Sequence, residues 1–220
     1  MPRIGVLGGS FNPIHFGHLL LAEELHEALA LDHVRFVPAR RPPHKPEADL
    51  APAEHRYAMT ALAIRGNPHF AVSDVELSRP GPSYTVDTLE AFRRELRSDV
   101  ALFLLLGSET FLDLLSWKEP QRVARLARLV VAPRGGSGFD PDGRQAQKVL
   151  QELGDEPWVR GPLAPAAAVP SRGIILVSVA SLPLSGSNLR RRAREGRSLR
   201  YRVPDTVADY ITAHRLYQEE

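Results

Sequence analysis

The sequence predicts an α/β protein in which a Rossmann-like, doubly wound parallel sheet is followed by C-terminal helices. Short apolar segments alternate with longer segments of helical periodicity along most of the 220 residues, which is typical of repeated βαβ units. Residues 100–106 include no charged side chain, as expected of a central parallel strand that is covered on both faces. The first apolar segment, residues 3–7, leads into Gly8 and Gly9, where the backbone can turn sharply beside a ligand.

The predicted elements follow one another in βαβα order. Strands are predicted at residues 3–7, 33–38, 70–75, 100–106, 129–132 and 173–179. Helices are predicted at residues 19–31, 53–65, 85–97, 188–194 and 205–217. Ligands of such folds bind beyond the carboxyl ends of the strands, so we expect the chemistry to begin at Gly8.

The length of the chain fits a single domain over residues 1–220, with a surface excursion at about 135–172. The excursion is predicted because glycine-rich and proline-rich stretches flank its one predicted helix, at 144–153. A second irregular loop, at residues 39–52, is rich in proline and charge and has no periodicity.

The composition excludes several classes of protein. Apolar residues make up 43% of the chain and charged residues 25%, as in ordinary soluble globular proteins. The chain has no cysteine, which excludes disulfides, thiolate catalysis and thiolate metal sites. A net charge of +2 does not predict nucleic-acid binding, and the longest apolar runs are far below membrane-spanning length. We therefore expect a cytoplasmic protein with small-molecule partners, for which a homodimer is a possible assembly.

The strongest local pattern is the string GGSFNPIHFGH at residues 8–18. His18 lies one turn before Leu21, on the inward side of the predicted helix, and therefore faces the crevice. The start of this helix offers N–H groups and a positive dipole end to a phosphate, while Ser10 and His15 add further donors. Incidental histidines would explain His18 alone, but the complete string after a first strand favours a phosphate-binding site.

This string resembles the signature of the nucleotidyltransferases that have a His-x-Gly-His motif. With His15 present, it is most similar to the mononucleotide adenylyltransferases that act on nicotinate or nicotinamide mononucleotide. The family commonly has Asp where this chain has Asn12, which removes a charge but keeps an acceptor. The resemblance implies that His15 and His18 are catalytic, and that the following residues of the motif bind ATP: Gly8, Gly9, Ser10, Phe11 and Gly17.

Three segments resemble the mononucleotide-binding parts of the nicotinate enzymes. The string Pro-Pro-His-Lys at 42–45 implies contacts from His44 and Lys45, although in isolation a solvated loop would be the better explanation. The string GPSYTVDTL at 81–89 can cap the helix that follows, and by resemblance it also assigns Tyr84 and Thr85 to the pyridine ring and its carboxylate. Trp117 resembles the family tryptophan that stacks on this ring, and Arg134 the arginine after the next strand.

Two further segments resemble the ATP side of the family. Gly107 and Glu109 follow the central strand where the family has Gly-x-Asp, and a carboxylate there can accept from ribose hydroxyls or simply favour a helix start. The string SGSNLR at 185–190 resembles the element that grips the ATP phosphates, which implies phosphate contacts from Ser185 and Ser187 and a catalytic role for Arg190.

The resemblance thus implies adenylyl transfer from ATP to nicotinate mononucleotide, giving deamido-NAD and pyrophosphate in NAD biosynthesis. Because a phosphate monoester is already a nucleophile, we expect catalysis by positioning and charge stabilisation. Mg²⁺ is expected to accompany ATP, mostly hydrated, without a dedicated protein metal site. The alternatives are a nicotinamide mononucleotide adenylyltransferase, another superfamily member such as a cytidylyltransferase, and a non-catalytic nucleotide-binding module.

Overall fold

The computed structural model describes residues 1–44, 46, 50–133, 138–154, 158–163 and 173–218. Its strands are β1 (Arg3–Gly9), β2 (His33–Pro38), β3 (Phe70–Val72), β4 (Ala101–Gly107), β5 (Arg128–Ala132), β6 (Trp158–Arg160) and β7 (Ile174–Leu176). Its helices are α1 (Phe16–Ala28), α2 (Ala53–Ile64), α3 (Thr85–Glu95), α4 (Ser108–Leu112), α5 (Pro120–Leu126), α6 (Arg144–Leu153), α7 (Gly186–Arg194) and α8 (Asp205–Ala213). A short 3-10 helix, Leu114–Ser116, follows α4.

The strands form one parallel sheet in the order β3-β2-β1-β4-β5-β7-β6. The chain builds outward from β1 to β3 and returns to place β4 on the other side of β1, followed by β5. Strand β6 then forms the edge of the sheet, and β7 lies between β5 and β6. The reversal of strand order between β1 and β4 is the position where ligands of doubly wound sheets bind. The predicted Rossmann-like fold class is therefore confirmed, and the end of β1 borders the crevice.

Helices cover the sheet on both faces, and the central strand shows why the fold takes this form. On β4, Phe103 and Leu105 belong to a core shared with α1, α2, α7 and α8, whereas Leu104 and Leu106 belong to a core shared with α3 to α6. Consecutive side chains of a strand point to opposite faces, so an uninterrupted apolar run is needed where both faces are buried. This explains why residues 100–106 include no charge.

The segment at 135–172 departs from its predicted form. Its helix α6 occupies the predicted residues, but Val149 and Leu150 are buried in the core, and β6 adds a strand to the edge of the sheet. The expectation of a surface excursion is therefore wrong for the described part of this segment. The reason is that α6 carries an apolar stripe at helical spacing, which is buried against α4 and α5.

The C-terminal helices were predicted and are present, and they bring the end of the chain back to its beginning. Helix α8 packs against α2, and Tyr217, just beyond α8, reaches the loop after β1. Among the residues that the structure describes, no helix is both long enough and apolar enough to cross a membrane.

Candidate active site

Two adjoining clefts open at the carboxyl end of β1. The first, called here the strand-end cleft, has a volume of about 340 Å³ and lies over the ends of β1 and β4. The second, called the histidine cleft, has a volume of about 410 Å³ and lies between the loop after β1 and the start of α7. Ser10 and His18 line both clefts. A ligand in one cleft and a ligand in the other would therefore meet at these two residues.

Glycines keep the floor of the strand-end cleft open. Gly8 and Gly107 end the neighbouring strands β1 and β4, and a Cβ atom added to either would meet no heavy atom within 4 Å. That unfilled space belongs to the cleft, so the backbone can approach a ligand closely at these positions.

One wall of the strand-end cleft is built from two loops that hold each other. The Arg41 N–H donates to Ser83 Oγ at 3.2 Å, and the Ser83 N–H donates to the Arg41 carbonyl at 2.9 Å. These bonds join the loop that carries His44 to the loop that carries Tyr84 and Thr85, and all three of these residues line the cleft. The two segments that resemble mononucleotide-binding elements are thus brought together.

Trp117, which follows the 3-10 helix after α4, also lines the strand-end cleft. Its N–H donates to the Leu114 carbonyl at 3.1 Å, and its side chain packs against the core on that face of the sheet. Gly107 and Glu109, which were assigned to ATP, line this same cleft rather than the histidine cleft.

A buried carboxyl group in this cleft was missed by the sequence analysis. Glu76 is 7% exposed, lines the strand-end cleft, and accepts a hydrogen bond of 2.6 Å from Thr88 Oγ1. Burial raises the pKa of Glu76 above its ordinary value, while hydrogen bonds from Thr88 and Ser83 and the charge of Arg79 partly oppose the rise. Through its hydrogen bond with Thr88, Glu76 connects the first part of α3 to the loop that precedes this helix.

The two motif histidines of the histidine cleft are stacked on one another. Their ring centroids lie 3.7 Å apart with the planes 26° apart, and a Cβ atom on Gly17 would lie 3.0 Å from His15 Nδ1. The His15 N–H donates to His18 Nδ1 at 3.3 Å. Because Nδ1 is an acceptor in this bond, a neutral His18 carries its proton on Nε2. His18 can therefore offer a ring N–H to a phosphate oxygen.

Helix α7 supplies the other side of the histidine cleft. Ser185 caps the helix, since its Oγ accepts from the Asn188 N–H at 3.3 Å, and Ser187 Oγ lies 3.4 Å from Ser185 Oγ. Arg190 Nη1 donates to the main-chain oxygen of Asn12 at 2.9 Å. The histidine cleft is thus lined by two hydroxyls, one guanidinium and two imidazoles. Such a set of hydrogen-bond donors is suited to a polyphosphate.

Asn12 serves as a buried hydrogen-bond acceptor, a role that an aspartate could also fill. Its Oδ1 accepts from the Ala51 N–H at 3.1 Å and from the Tyr217 hydroxyl at 2.8 Å. Either an amide or a carboxylate oxygen can take both bonds. Burial raises the pKa of Tyr217 well above its usual range, so this phenol stays a donor.

Arg56 is a second residue that the sequence analysis left outside the site. It is 1% exposed, and its guanidinium donates to three carbonyls: Ala51 at 2.8 Å, Ser10 at 2.8 Å and Arg40 at 3.0 Å. Burial lowers the pKa of Arg56 below its ordinary value. One side chain thus fastens the loop after β1 to both ends of the loop at 39–52. The sequence around it, His55-Arg56-Tyr57-Ala58-Met59, gives no sign of such long-range bonds.

The remaining predicted site residues fall into three groups. Gly9 lines the strand-end cleft, and Phe11 lines the histidine cleft. Phe11 is only 1% exposed, because its ring packs against those of Phe36 and His18. Gly17 lines neither cleft. Lys45 and Arg134 lie outside the described residues. Within the described ranges, no group of three or more His, Asp and Glu side chains is arranged to hold a metal ion.

A parallel sheet with donor-lined clefts at its switch point defines a nucleotide-binding α/β protein. Comparison with known proteins narrows this class, because residues 6–192 match the cytidylyltransferase-like family model. A probable nicotinate-nucleotide adenylyltransferase of Thermomicrobium roseum is 45% identical, with 99% of this chain and 92% of the relative aligned. One of the same description from Thermus thermophilus is 44% identical over 98% of this chain and its own full length.

Solved structures agree with the sequence relatives on the fold. The Plasmodium falciparum nicotinic acid mononucleotide adenylyltransferase in complex with NaAD superimposes with a TM-score of 0.74 at 20% identity, covering 99% of this chain and 98% of its own. The same enzyme in complex with APC gives a TM-score of 0.72 at 19% identity, with the same coverage of both chains. The chain belongs to the cytidylyltransferase-like family and, within it, to the nicotinate-nucleotide adenylyltransferases.

Proposed function

We propose that the protein transfers AMP from ATP to nicotinate mononucleotide, giving deamido-NAD and pyrophosphate. One observation carries the proposal: the two clefts share Ser10 and His18. The strand-end cleft is lined by residues predicted to bind the pyridine ring, and the histidine cleft by hydrogen-bond donors suited to phosphate. A reaction that joins two nucleotides through their phosphates needs both reactants to meet at one point. The membership of the chain in the nicotinate-nucleotide adenylyltransferases supports the same reaction.

The chemistry needs no covalent intermediate on the protein. An oxygen of the mononucleotide 5′-phosphate attacks the α-phosphorus of ATP, a new P–O bond forms, and the bond from the α-phosphorus to the bridging oxygen breaks. The electron pair leaves with pyrophosphate. Negative charge grows on the bridging oxygen and on the equatorial oxygens, so aligned hydrogen-bond donors should provide most of the catalysis.

The strand-end cleft is assigned to the mononucleotide. Trp117 would stack on the pyridine ring, Tyr84 and Thr85 would bind the ring and its carboxylate, and His44 with Lys45 would contact its phosphate side. Gly107 and Glu109 line this cleft, so we assign the Glu109 carboxylate to the ribose hydroxyls of the mononucleotide instead of those of ATP. The hydrogen bonds between the Arg41 and Ser83 loops support a preformed site.

The histidine cleft is assigned to the triphosphate. The Nε2–H of His18 would stabilise the charge that develops around the α-phosphorus, with His15 stacked behind it. Ser185, Ser187 and Arg190 would hold the departing pyrophosphate. The Arg190 guanidinium is anchored by one N–H on Asn12, and an arginine has five such donors, so others can serve the ligand.

Mg²⁺ is proposed to enter with ATP. The lining of the histidine cleft includes no carboxylate among the described residues, and its oxygen donors are hydroxyl, amide and main-chain groups. This donor set fits an ion coordinated mainly by phosphate oxygens and water, as Mg²⁺ prefers. When bound there, the ion would neutralise phosphate charge.

The test follows the α-phosphorus of ATP. With ATP labelled at the α-phosphorus, the label should enter a dinucleotide that contains nicotinate, whereas label at the γ-phosphorus should leave as pyrophosphate. CTP should not replace ATP. ATP binding without any transfer would favour a non-catalytic nucleotide-binding module and would sink the proposal.

Two expectations from the sequence stay predictions. A cytoplasmic location would be checked by fractionation of the cells that make the protein. A homodimer would be checked by light scattering over a range of protein concentrations, where a mass near 24.3 kDa at every concentration would contradict it.

A further inference from the structure

Lys118 occupies an unusual electrostatic position in the strand-end cleft. Among the described residues that line this cleft, Lys118 is the only lysine or arginine. The cleft also contains the carboxyl groups of Glu76 and Glu109. A ring substituent with a negative charge would therefore find one cationic side chain among the described lining residues.

The ammonium group of Lys118 lies close to one of the predicted ring contacts, Tyr84. It lies 5.0 Å from the ring centroid of Tyr84 and follows Trp117 directly in the chain. Its Nζ donates to the two carboxylate oxygens of Asp87, at 3.0 and 3.3 Å. An ammonium group has three N–H donors, so this pairing does not exhaust its capacity to donate.

We propose that Lys118 determines specificity, favouring a mononucleotide whose pyridine ring carries a carboxylate over one whose ring carries a neutral carboxamide. This inference rests on the proposed function and adds a residue that selects between its two candidate substrates. The ammonium attracts the carboxylate through charge, an attraction that a carboxamide does not feel.

The other charged groups of the cleft do not cancel this attraction. Burial raises the pKa of Glu76, which favours its neutral form over a wider pH range than that of an ordinary glutamate. Asp87 is the direct partner of Lys118, and it holds the ammonium at the beginning of α3. Glu109 lies in the first turn of α4, just after β4, where it is assigned to the ribose hydroxyls and not to the ring.

If Lys118 only stabilised the structure, loss of a comparable ion pair nearby should have the same effect on the substrate preference. Arg122 provides that comparison. Arg122 forms ion pairs with Glu90 of α3 and with Glu119, so it also links α3 to the segment that carries Trp117. Arg122 and Glu90 do not line the strand-end cleft. Loss of the Arg122 pairs should weaken the same junction without changing the charge at the ring.

The experiment compares Lys118→Met, Lys118→Arg and Arg122→Gln with the wild type. For each protein, kcat/KM and Kd are measured for nicotinate mononucleotide and for nicotinamide mononucleotide. We expect Lys118→Met to lower the acid-to-amide ratio about fivefold or more, chiefly through KM for the acid, as loss of a half-exposed charge pair implies. Lys118→Arg should keep most of the ratio, and Arg122→Gln should leave it within about twofold of the wild type.

The outcomes separate this inference from the proposed function. An unchanged ratio in Lys118→Met, or an equal shift in Arg122→Gln, would overturn the role of Lys118 even if the wild type is an active adenylyltransferase. If the wild type binds without turnover, the ratio of Kd values still decides the role of Lys118, while the proposed function fails. A wild type that binds neither mononucleotide contradicts both.

Discussion

Arg190 Nη1 donates a 2.9 Å hydrogen bond to the main-chain oxygen of Asn12, joining helix α7 to a loop 178 residues earlier in the chain. The approach is so close that a Cβ atom on Gly186 would lie 2.8 Å from the same oxygen. A side chain at this position would push α7 away from the loop. The two sides of the histidine cleft are therefore held at a fixed separation by one arginine and one glycine.

Tyr217→Phe should loosen this connection. The substitution removes the hydroxyl that donates to Asn12 Oδ1, leaving the Ala51 N–H as the described donor to that atom. We expect a loss of about 1 kcal/mol in the free energy of unfolding, measured with urea, and a severalfold higher KM for ATP. Tyr201→Phe is the matched control, because Tyr201 is 91% exposed. Equal behaviour of the two variants would show that the Tyr217 hydroxyl has no positioning role.

His18→Ala should reduce turnover far more than ATP binding. If the Nε2–H of His18 stabilises charge in the transition state, its removal should lower kcat by about 10²–10³-fold, as for other lost donors to a developing charge. Steady-state kinetics and ATP titration on the same preparations separate the two effects. His33→Ala, at the exposed start of β2, is the control. Near-normal kcat in the His18 variant would refute the assignment.

Trp117→Ala should act on the mononucleotide alone. Stacking on the pyridine ring is worth about 1–3 kcal/mol by analogy with base stacking on aromatic side chains, so KM for nicotinate mononucleotide should rise about tenfold or more. KM for ATP should stay unchanged. Trp117→Phe retains a ring and should recover part of the loss. A defect confined to ATP would contradict the stacking role.

Glu76→Gln should change how stability depends on pH. Because burial raises the pKa of folded Glu76 from its ordinary 4.5, the unfolded chain releases this proton first as the pH rises. The wild type therefore loses stability between pH 4.5 and the folded-state pKa, whereas a glutamine has no proton to lose. Urea unfolding across this range should show that the free energy of unfolding of the variant rises relative to that of the wild type as the pH increases. Glu27→Gln, at an exposed site, serves as the control. Parallel profiles for Glu76→Gln and the wild type would show that burial does not perturb Glu76.

The sheet could be predicted because its signal is local. Each central strand needs several apolar residues in succession, and the charge-free run that forms β4 shows this directly. The elements that were missed, α4, the 3-10 helix, α5 and β6, are each seven residues or shorter. Such short elements are fixed by tertiary contacts, as when Trp158 of β6 packs against Phe111 of α4 with ring centroids 5.3 Å apart.

The candidate site could be predicted where one continuous string carries it, and less well where distant segments build it. The motif from Gly8 to His18 was recognisable because turn, donors and helix start follow one another. Arg56 and Tyr217 escaped notice because their bonds reach across 46 and 205 residues to the same loop. Glu76 was not predicted because only folding brings it into hydrogen-bond contact with Thr88 and into the lining of the cleft.

The most direct test of the proposed function is the ratio of kcat/KM for nicotinate mononucleotide to kcat/KM for nicotinamide mononucleotide, with ATP as the co-substrate. We predict that the acid is the better substrate and that deamido-NAD and pyrophosphate form in equal amounts. A preference for the amide, or no dinucleotide from either substrate, would contradict the account.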